Sequence, residues 1–169
     1  SAASDVYKRQ GKDNVALILG DNFFYAQSLT KKIKNCLKIS SGCKVLLHPV
    51  NKPELYGVAT IKNNKIIKIV EKPKKTKSNL AITGLYFFDN RVVNLSKSLK
   101  PSKRKELEII DLLKKYLVKK TLKPEFLGRG GAWLDTGSIQ DFYDTSAFVS
   151  AIESSCLLYT SDAADDVRG

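Results

Sequence analysis

The sequence has few of the cysteine and histidine residues that typically bind zinc. It contains three cysteines, Cys36, Cys43 and Cys156, and a single histidine, His48. The cysteines are scattered and lack the C-x-x-C spacing that is typical of zinc-binding proteins. We therefore expect three reduced thiols and no structural zinc site.

Long apolar runs are also absent. No segment approaches the roughly 20 apolar residues that a helix needs to cross a bilayer, and residues 1–5 lack the pattern of a signal peptide. The chain of 169 residues is 43% hydrophobic and 27% charged, which is typical of an ordinary folded domain. These features predict a cytoplasmic protein that does not associate with a membrane.

Negative charge is scarce. There are 29 lysines and arginines against 17 acidic residues, which gives a formal net charge of +12. Such a balance suits a nucleic acid, an acidic surface or an anionic small substrate. The lysines are spread along the chain in pairs without interleaved aromatic residues, so a solvated surface is favoured over a nucleic-acid groove.

A glycine-rich phosphate-binding loop is missing before the first predicted strand, where an open α/β sheet normally carries one. Residues 1–10 and 154–169 resemble peptides that arise when sequencing-adapter DNA is translated, and we expect both to be non-native. The remaining part, 11–153, is then expected to be a partial domain. We expect this chain to be inactive by itself.

Apolar periodicity predicts alternating strands and helices. Val15–Leu19 is typical of a buried central strand of a parallel sheet, and Ser28 is placed to cap the helix that follows. A hairpin is predicted around the polar turn 62–65, and 81–88 is apolar enough for an interior strand. Further helices are predicted at 90–99, 106–118 and 138–153, which gives an α/β fold with a mixed sheet flanked by helices.

Two carboxylates have suggestive flanks, Asp21 in Leu-Gly-Asp-Asn and Asp135 in Trp-Leu-Asp-Thr-Gly. Each follows an apolar run, and loops at strand ends can bring distant residues to one point. Mg²⁺ that also binds phosphate oxygens needs only one or two protein carboxylates. Taken singly, each motif is more typical of a turn or a helix cap.

Other candidates are weaker when taken singly. Glu71-Lys72-Pro73 places a carboxylate and an ammonium at a strand end, where they suit sugar hydroxyls and a phosphate, or form only an exposed ion pair. Arg104 and Arg129 have the planar fork that suits phosphate. Trp133, Tyr56 and Tyr86 are sugar platforms or ordinary core aromatics.

Six motifs in order carry a family resemblance along nearly all of 11–153. They are Leu-Gly-Asp-Asn-Phe-Phe-Tyr at 19–25, Tyr-Gly-Val at 56–58, Glu-Lys-Pro at 71–73, Ser-Asn-Leu-Ala-Ile-Thr-Gly-Leu-Tyr-Phe at 78–87, Glu-Leu-Glu-Ile at 106–109 and Gly-Gly-Ala-Trp-Leu-Asp-Thr-Gly at 130–137. Together they resemble glucose-1-phosphate thymidylyltransferases.

This resemblance implies a Rossmann-like nucleotidylyltransferase that joins dTTP and glucose 1-phosphate into dTDP-glucose and pyrophosphate. It implies Mg²⁺ held by Asp21 and Asp135, and a sugar phosphate bound by Lys72 and Arg104. The glucose pocket would be lined by Tyr56, Gly57, Glu71, Ile82, Tyr86 and Trp133. The complete protein would form a homo-oligomer and bind no nucleic acid.

Two alternatives stay open. A uridylyl- or cytidylyltransferase acting on a sugar 1-phosphate would share the sugar-side motifs, since the residues that read the base are expected upstream of Gly11. A basic nucleic-acid-binding module would use the net charge of +12 and treat both aspartates as caps. Binding of that second kind would weaken steeply with salt.

Overall fold

The computed structural model describes residues 13–101 and 107–165, with side chains as far as residue 155. Its elements in chain order are β1 (Val15–Ile18), β2 (Asn22–Tyr25), α1 (Leu29–Leu37), β3 (Cys43–Pro49), a 3₁₀ turn (Pro53–Leu55), β4 (Gly57–Lys62), β5 (Lys65–Glu71), β6 (Leu80–Phe88), α2 (Val92–Lys97), α3 (Ile109–Val118), β7 (Leu122–Phe126), β8 (Ala132–Asp135) and α4 (Ile139–Asp165).

The described chain divides into two compact units. The first comprises residues 13–20 and 25–132, and the second comprises residues 21–24 together with the segment from Trp133 onward. No helix in the described part of the chain has the length and apolar character needed to cross a membrane. Cys36 and Cys43 are buried free thiols, and Cys156 lies beyond the described side chains.

Strand β6 is the centre of the sheet in the first unit. The strand order is β5-β4-β6-β3-β7, with β1 also paired to β6. The pairing of β3 with β7 is parallel, whereas β6 pairs antiparallel with β1, β3 and β4. The predicted α/β fold with a mixed sheet is thereby confirmed. All but the first residue of β6 are buried, as the apolar run predicted.

The prediction for β1 is wrong in one respect. β1 is antiparallel to its partner β6, not a central strand of a parallel sheet. Val15 is buried, but Ile18 is 57% exposed. An apolar run of five residues predicts a strand but does not fix its direction or its number of neighbours, and both depend on distant parts of the chain.

Ser28 does not cap α1 through its side chain. Its backbone is left-handed, with φ 60°, and its hydroxyl makes no capping hydrogen bond. A capping serine normally has an extended backbone, which places its hydroxyl over the free amides of the first turn. The helix itself was predicted correctly.

The β4–β5 hairpin confirms its prediction. Asn63 and Asn64 have φ values of 49° and 56°, the left-handed backbone that both central residues of a type I′ turn require. Asparagine tolerates this conformation better than most side chains do. The turn sets the register in which Lys62 pairs with Lys65 and Ile61 with Ile66, and a one-residue shift between Thr60 and Ile61 then places Gly57 opposite Glu71.

Helix α3 covers one face of the sheet in the first unit. Ile110, Leu112, Leu113 and Tyr116 are buried in the main hydrophobic cluster with the even-numbered side chains of β6. The rings of Tyr116 and Phe88 lie 5.8 Å apart. The helix begins at Ile109, three residues after the predicted start, and residues 102–106 lie outside the described part of the chain.

Asp89 joins the end of β6 to its neighbours. Its buried carboxylate accepts hydrogen bonds from the Gly42 amide, from Arg91 Nε at 2.8 Å and from the Tyr116 hydroxyl at 3.0 Å. Burial acts to raise the pKa of Asp89, but the hydrogen bonds from Arg91, Gly42 and Tyr116 outweigh it and hold the pKa below its ordinary value. The carboxylate is therefore ionised in the folded protein at neutral pH.

We predict that Asp89→Asn destabilises the fold by about 2–3 kcal/mol at pH 7, because hydrogen bonds to a buried charged group are among the stronger ones. Since folding lowers this pKa, the stabilisation is fully present above the unfolded value of about 3.9 and is lost as the pH falls through the folded value. Urea unfolding of both proteins from pH 7 to pH 3 measures this. Asp111→Asn is the control, because the Asp111–Lys114 ion pair is exposed. Equal losses in the two variants would contradict the prediction.

Candidate active site

The two candidate metal ligands lie on adjoining loops of the second unit. Asp21 immediately precedes β2, Asp135 is the last residue of β8, and these strands form a two-stranded sheet. Thr136 donates two hydrogen bonds to the carbonyl oxygen of Asp21, from its amide at 2.8 Å and from its hydroxyl at 2.9 Å. The structure therefore brings together two loops that are far apart in sequence.

A chain of hydrogen bonds fixes the Asp21 carboxylate. Trp133 Nε1 donates to Asn22 Oδ1 at 2.6 Å, and Asn22 Nδ2 donates to Asp21 Oδ1 at 2.7 Å. On the other loop, the Gly137 amide donates to Asp135 Oδ1 at 3.2 Å. Sequence reasoning missed Asn22 as a site residue, although it follows Asp21 directly. An amide can accept from an indole and donate to a carboxylate at once.

Helix α4 follows the Asp135 loop in the second unit and packs against β2. Ser138 caps it, since the Asp141 amide donates to the Ser138 hydroxyl at 3.1 Å. Phe23 of β2 and Phe148 of α4 pack edge to face, with ring centroids 6.3 Å apart. The Ser138 cap thus lies close to Asp135 in the sequence, and the Phe23–Phe148 contact lies close to Asp21.

Four predicted sugar-site residues meet at the open end of the β4–β5 hairpin in the first unit. Gly57 pairs with Glu71 in the strand register, and the Lys72 amide donates to the Tyr56 carbonyl at 3.0 Å. A Cβ on Gly57 would lie 3.0 Å from Glu71 Oε2 and 3.0 Å from Ile110 Cδ1. The absence of a side chain at Gly57 thus allows the Glu71 carboxylate and α3 to approach β4 closely.

Lys72 has an unusual backbone. Its φ of 42° lies in the left-handed region, which costs free energy for a residue with a Cβ, and the next residue, Pro73, is buried. The hydrogen bond to Tyr56 helps to hold this conformation. Strain of this kind occurs where the surrounding structure over-determines a residue, often at a functional site.

The other sequence-predicted residues are placed differently. Ile82 and Tyr86 lie on one face of β6, only 6% and 4% exposed, within the main hydrophobic cluster. Tyr86 stacks on Phe88 with ring centroids 6.1 Å apart. Trp133 belongs to the second unit with the two aspartates. Arg104 lies outside the described residues.

The candidate metal ligands are two carboxylates, those of Asp21 and Asp135. Within the described residues, no group of three or more His, Cys, Asp or Glu side chains has a metal-holding arrangement. Two carboxylates suit Mg²⁺, which prefers oxygen ligands, retains several waters and takes further ligands from substrate phosphates. The oxygens of Asp21 and Asp135 fit such an ion chemically.

The sequence matches a family described as nucleotidyl transferase over residues 2–152. The chain belongs to the nucleotidyl transferase family. Among curated relatives, the glucose-1-phosphate thymidylyltransferase of Neisseria meningitidis is 46% identical over 144 residues, which is 85% of this chain and 50% of the relative. The enzyme of the same name from Mycolicibacterium smegmatis is 42% identical over 144 residues, again 85% of this chain and 50% of the relative. The chain spans about half the length of these relatives.

Two solved structures have a similar fold. A Bacillus anthracis protein described as a glucose-1-phosphate thymidylyltransferase, in complex with a sucrose, superposes with a TM-score of 0.71 at 39% identity, covering 87% of this chain and 57% of that one. An apo UDP-glucose pyrophosphorylase superposes with a TM-score of 0.72 at 24% identity, covering 85% and 56%. This second likeness shows the fold alone. The predicted Rossmann-like nucleotidyltransferase fold is confirmed.

We predict that Asn22→Ala alters the environment of Trp133, the only tryptophan of the chain. The variant removes the hydrogen bond that the indole N–H of the buried Trp133 donates to Asn22, which costs about 1–3 kcal/mol. Tryptophan fluorescence should shift in wavelength and intensity, and the second unit should unfold at lower urea concentration. Asn35→Ala, at an exposed position of α1, should change neither. An unchanged emission spectrum in Asn22→Ala would show that the indole does not depend on this bond.

Proposed function

We propose that the complete protein transfers a deoxythymidylyl group from dTTP to glucose 1-phosphate and releases pyrophosphate. The observation that carries the proposal is the hydrogen-bonded junction of the Asp21 and Asp135 loops, in a chain that shares 46% identity with a relative named for this activity. A pair of carboxylates on adjoining backbone segments suits a reaction between two phosphate-bearing substrates, because both substrates bring negative charge that a metal ion must offset.

The chemistry is a displacement at phosphorus. A phosphate oxygen of glucose 1-phosphate forms a bond to the α-phosphorus of dTTP, and the bond from that phosphorus to the oxygen bridging to the β-phosphate breaks. The electron pair of the broken bond leaves with pyrophosphate. Such a reaction depends mainly on positioning and on charge stabilisation, and less on proton transfer.

Asp21 and Asp135 would hold Mg²⁺ in this proposal. When bound, the ion offsets negative charge on the triphosphate. The protein's own contribution is rigidity: Asn22 orients the Asp21 carboxylate, the Gly137 amide bonds to the Asp135 carboxylate, and Thr136 holds the two loops together. A ligand whose position is fixed before the substrates arrive needs no reorganisation during the reaction.

The open end of the β4–β5 hairpin would bind the sugar phosphate. The Glu71 carboxylate, next to Gly57, suits sugar hydroxyls as an acceptor, and the Lys72 ammonium suits the phosphate. Tyr56 lies beside Lys72 through their backbone hydrogen bond. Arg104 is proposed as a second phosphate ligand, and Ile82 and Tyr86 as apolar lining of the glucose pocket.

The base that the enzyme accepts separates this proposal from its nearest alternative. A uridylyl- or cytidylyltransferase would use the same carboxylates and the same sugar-side residues. Parallel assays with dTTP, UTP and CTP distinguish the three, since only the preferred nucleotide should give a high kcat/KM. We further propose a cytoplasmic location and a homo-oligomer for the complete protein, in keeping with its use of nucleoside triphosphates.

We predict that both aspartates are required for turnover. Residues 11–153, joined to the amino-terminal half of the Neisseria meningitidis relative, should release pyrophosphate from dTTP, glucose 1-phosphate and Mg²⁺. Asp21→Asn and Asp135→Asn should each lower kcat by about 100-fold or more, because loss of one charge-stabilising group has that effect in many enzymes. Asp144→Asn, an exposed change in α4, is the matched control. Near-normal kcat in either site variant would overturn the metal assignment.

We predict that Lys72→Gln raises the KM for glucose 1-phosphate on the order of tenfold, because it removes one charge-assisted hydrogen bond to the substrate phosphate. The KM for dTTP should change much less. Lys74→Gln, an exposed change in the same loop, should leave both constants unaltered. Equal effects of Lys72→Gln on both KM values would argue that Lys72 does not contact the sugar phosphate.

A further inference from the structure

A cleft of about 720 Å³ lies at the turn end of the β4–β5 hairpin. It is lined by the start of β5, the end of α3 and the start of β7, all within the first unit. Along β5 its lining residues lie roughly 13 to 20 Å from Glu71, at about 3.3 Å per residue. None of the proposed substrate or metal residues lines it.

The cleft lies where the two end strands of the sheet meet α3. Strands β5 and β7 are the two ends of the hydrogen-bonded strand order, they contact each other, and α3 contacts both. Ile66 and Leu122, each 5% exposed, are buried parts of the lining. Ile67 and Val118 also line it and are 54% and 82% exposed. Apolar surface is therefore open to solvent beside a concave site.

The charges around the cleft have one sign. Lys65, Lys120 and Lys123 line it, and no acidic side chain is among its described lining residues. An apolar lining with a few charged groups at its edge is typical of small-molecule sites, and the volume falls in their usual range. The complementary ligand carries apolar surface and negative charge together.

Lys120 is an independent sign of this site. It follows α3 in a Schellman motif, in which the Lys120 amide donates to the Leu117 carbonyl at 2.9 Å and the Thr121 amide donates to the Tyr116 carbonyl at 3.0 Å. This motif places Lys120 at φ 55°, where glycine is usual because a Cβ is unfavourable. A lysine is thus held in a conformation that glycine would adopt with less strain.

We propose that this cleft binds an amphipathic anion, a free small molecule whose apolar body packs against Ile67 and Val118. Its carboxylate or phosphate group pairs with Lys65, Lys120 and Lys123. The charge complementarity and the strained lysine favour this ligand over an uncharged one, because neither feature would help to bind a purely apolar molecule.

Isothermal titration of the 169-residue chain with decyl phosphate, below its micelle concentration, tests the proposal. One molecule should bind per chain, and raising NaCl from 50 to 500 mM should weaken binding several-fold. Inorganic phosphate and decanol should each bind at least tenfold more weakly. Binding only to vesicles of anionic lipid would overturn the proposal, as would self-association of the chain that decyl phosphate does not disperse.

Three variants locate the ligand. Lys120→Gly should weaken binding at least threefold while the melting temperature stays equal or rises, since glycine relieves the backbone strain. Ile67→Glu, at a half-exposed position, should weaken binding at least tenfold by placing a negative charge in the cleft. Lys119→Gln, an exposed neighbour outside the lining, is the matched control. If Lys120→Gly raises the melting temperature and leaves decyl phosphate affinity unchanged, the lysine serves no ligand and the proposal fails.

Discussion

The first unit depends on one buried carboxylate. Asp89 stands where β6 ends, and its hydrogen bonds reach the loop before β3, the side chain of Arg91 and the hydroxyl of Tyr116 on α3. The amide of Asp89 also donates to the Gly42 carbonyl, so backbone and side chain hold the same junction. Because a buried charge without partners is very unfavourable, the fold favours the arrangement in which all three partners reach Asp89. That condition fixes where α3 lies on the sheet, and with it the position of Ile110 beside Gly57. The proposed sugar-binding end of the hairpin therefore depends on a carboxylate that takes no part in the chemistry.

Positioning in the second unit is achieved through backbone contacts. Thr136 bonds to the carbonyl of Asp21, not to its carboxylate, so the loops meet without using the oxygens that a metal ion would need. Asn22 then connects Trp133 to one carboxylate oxygen of Asp21. Through Asn22, the packing of the buried Trp133 ring therefore helps to orient the Asp21 carboxylate, a candidate metal ligand. Three residues of Trp-Leu-Asp-Thr-Gly make these contacts. Trp133 and Thr136 bond to the Asp21 loop, and Gly137 bonds to the Asp135 carboxylate.

Local signals in the sequence predicted most of the first unit. Three elements could each be predicted from about ten consecutive residues. β6 has an apolar run, the hairpin has an asparagine turn, and α3 has helical apolar periodicity. The direction of β1, the left-handed backbone at Ser28 and the pairing of β2 with β8 were not predicted, because each depends on residues far along the chain. Asp89 and Asn22 were missed for a related reason. Both act through hydrogen bonds to groups far along the chain. The local sequence does not show whether a carboxylate or an amide beside an apolar run is buried. The aspartates at 21 and 135 could be proposed from the sequence because each has a glycine nearby and an apolar run before it.

Among the residues that the structure describes, two lysines differ from the rest of this basic surface. Lys72 and Lys120 both have a left-handed backbone, with φ values of 42° and 55°, and each amide donates to a carbonyl that holds it there, of Tyr56 and Leu117 respectively. A lysine on a regular strand or helix pays no such conformational cost, and glycine would remove the cost at both positions. One of these lysines ends β5 at the proposed sugar-phosphate site, and the other follows α3 at the amphipathic cleft. A net charge of +12 by itself indicates little about function, since solvated lysines produce it equally well. Backbone strain distinguishes these two lysines from the other described lysines, and it supports one proposed anion site at each of them.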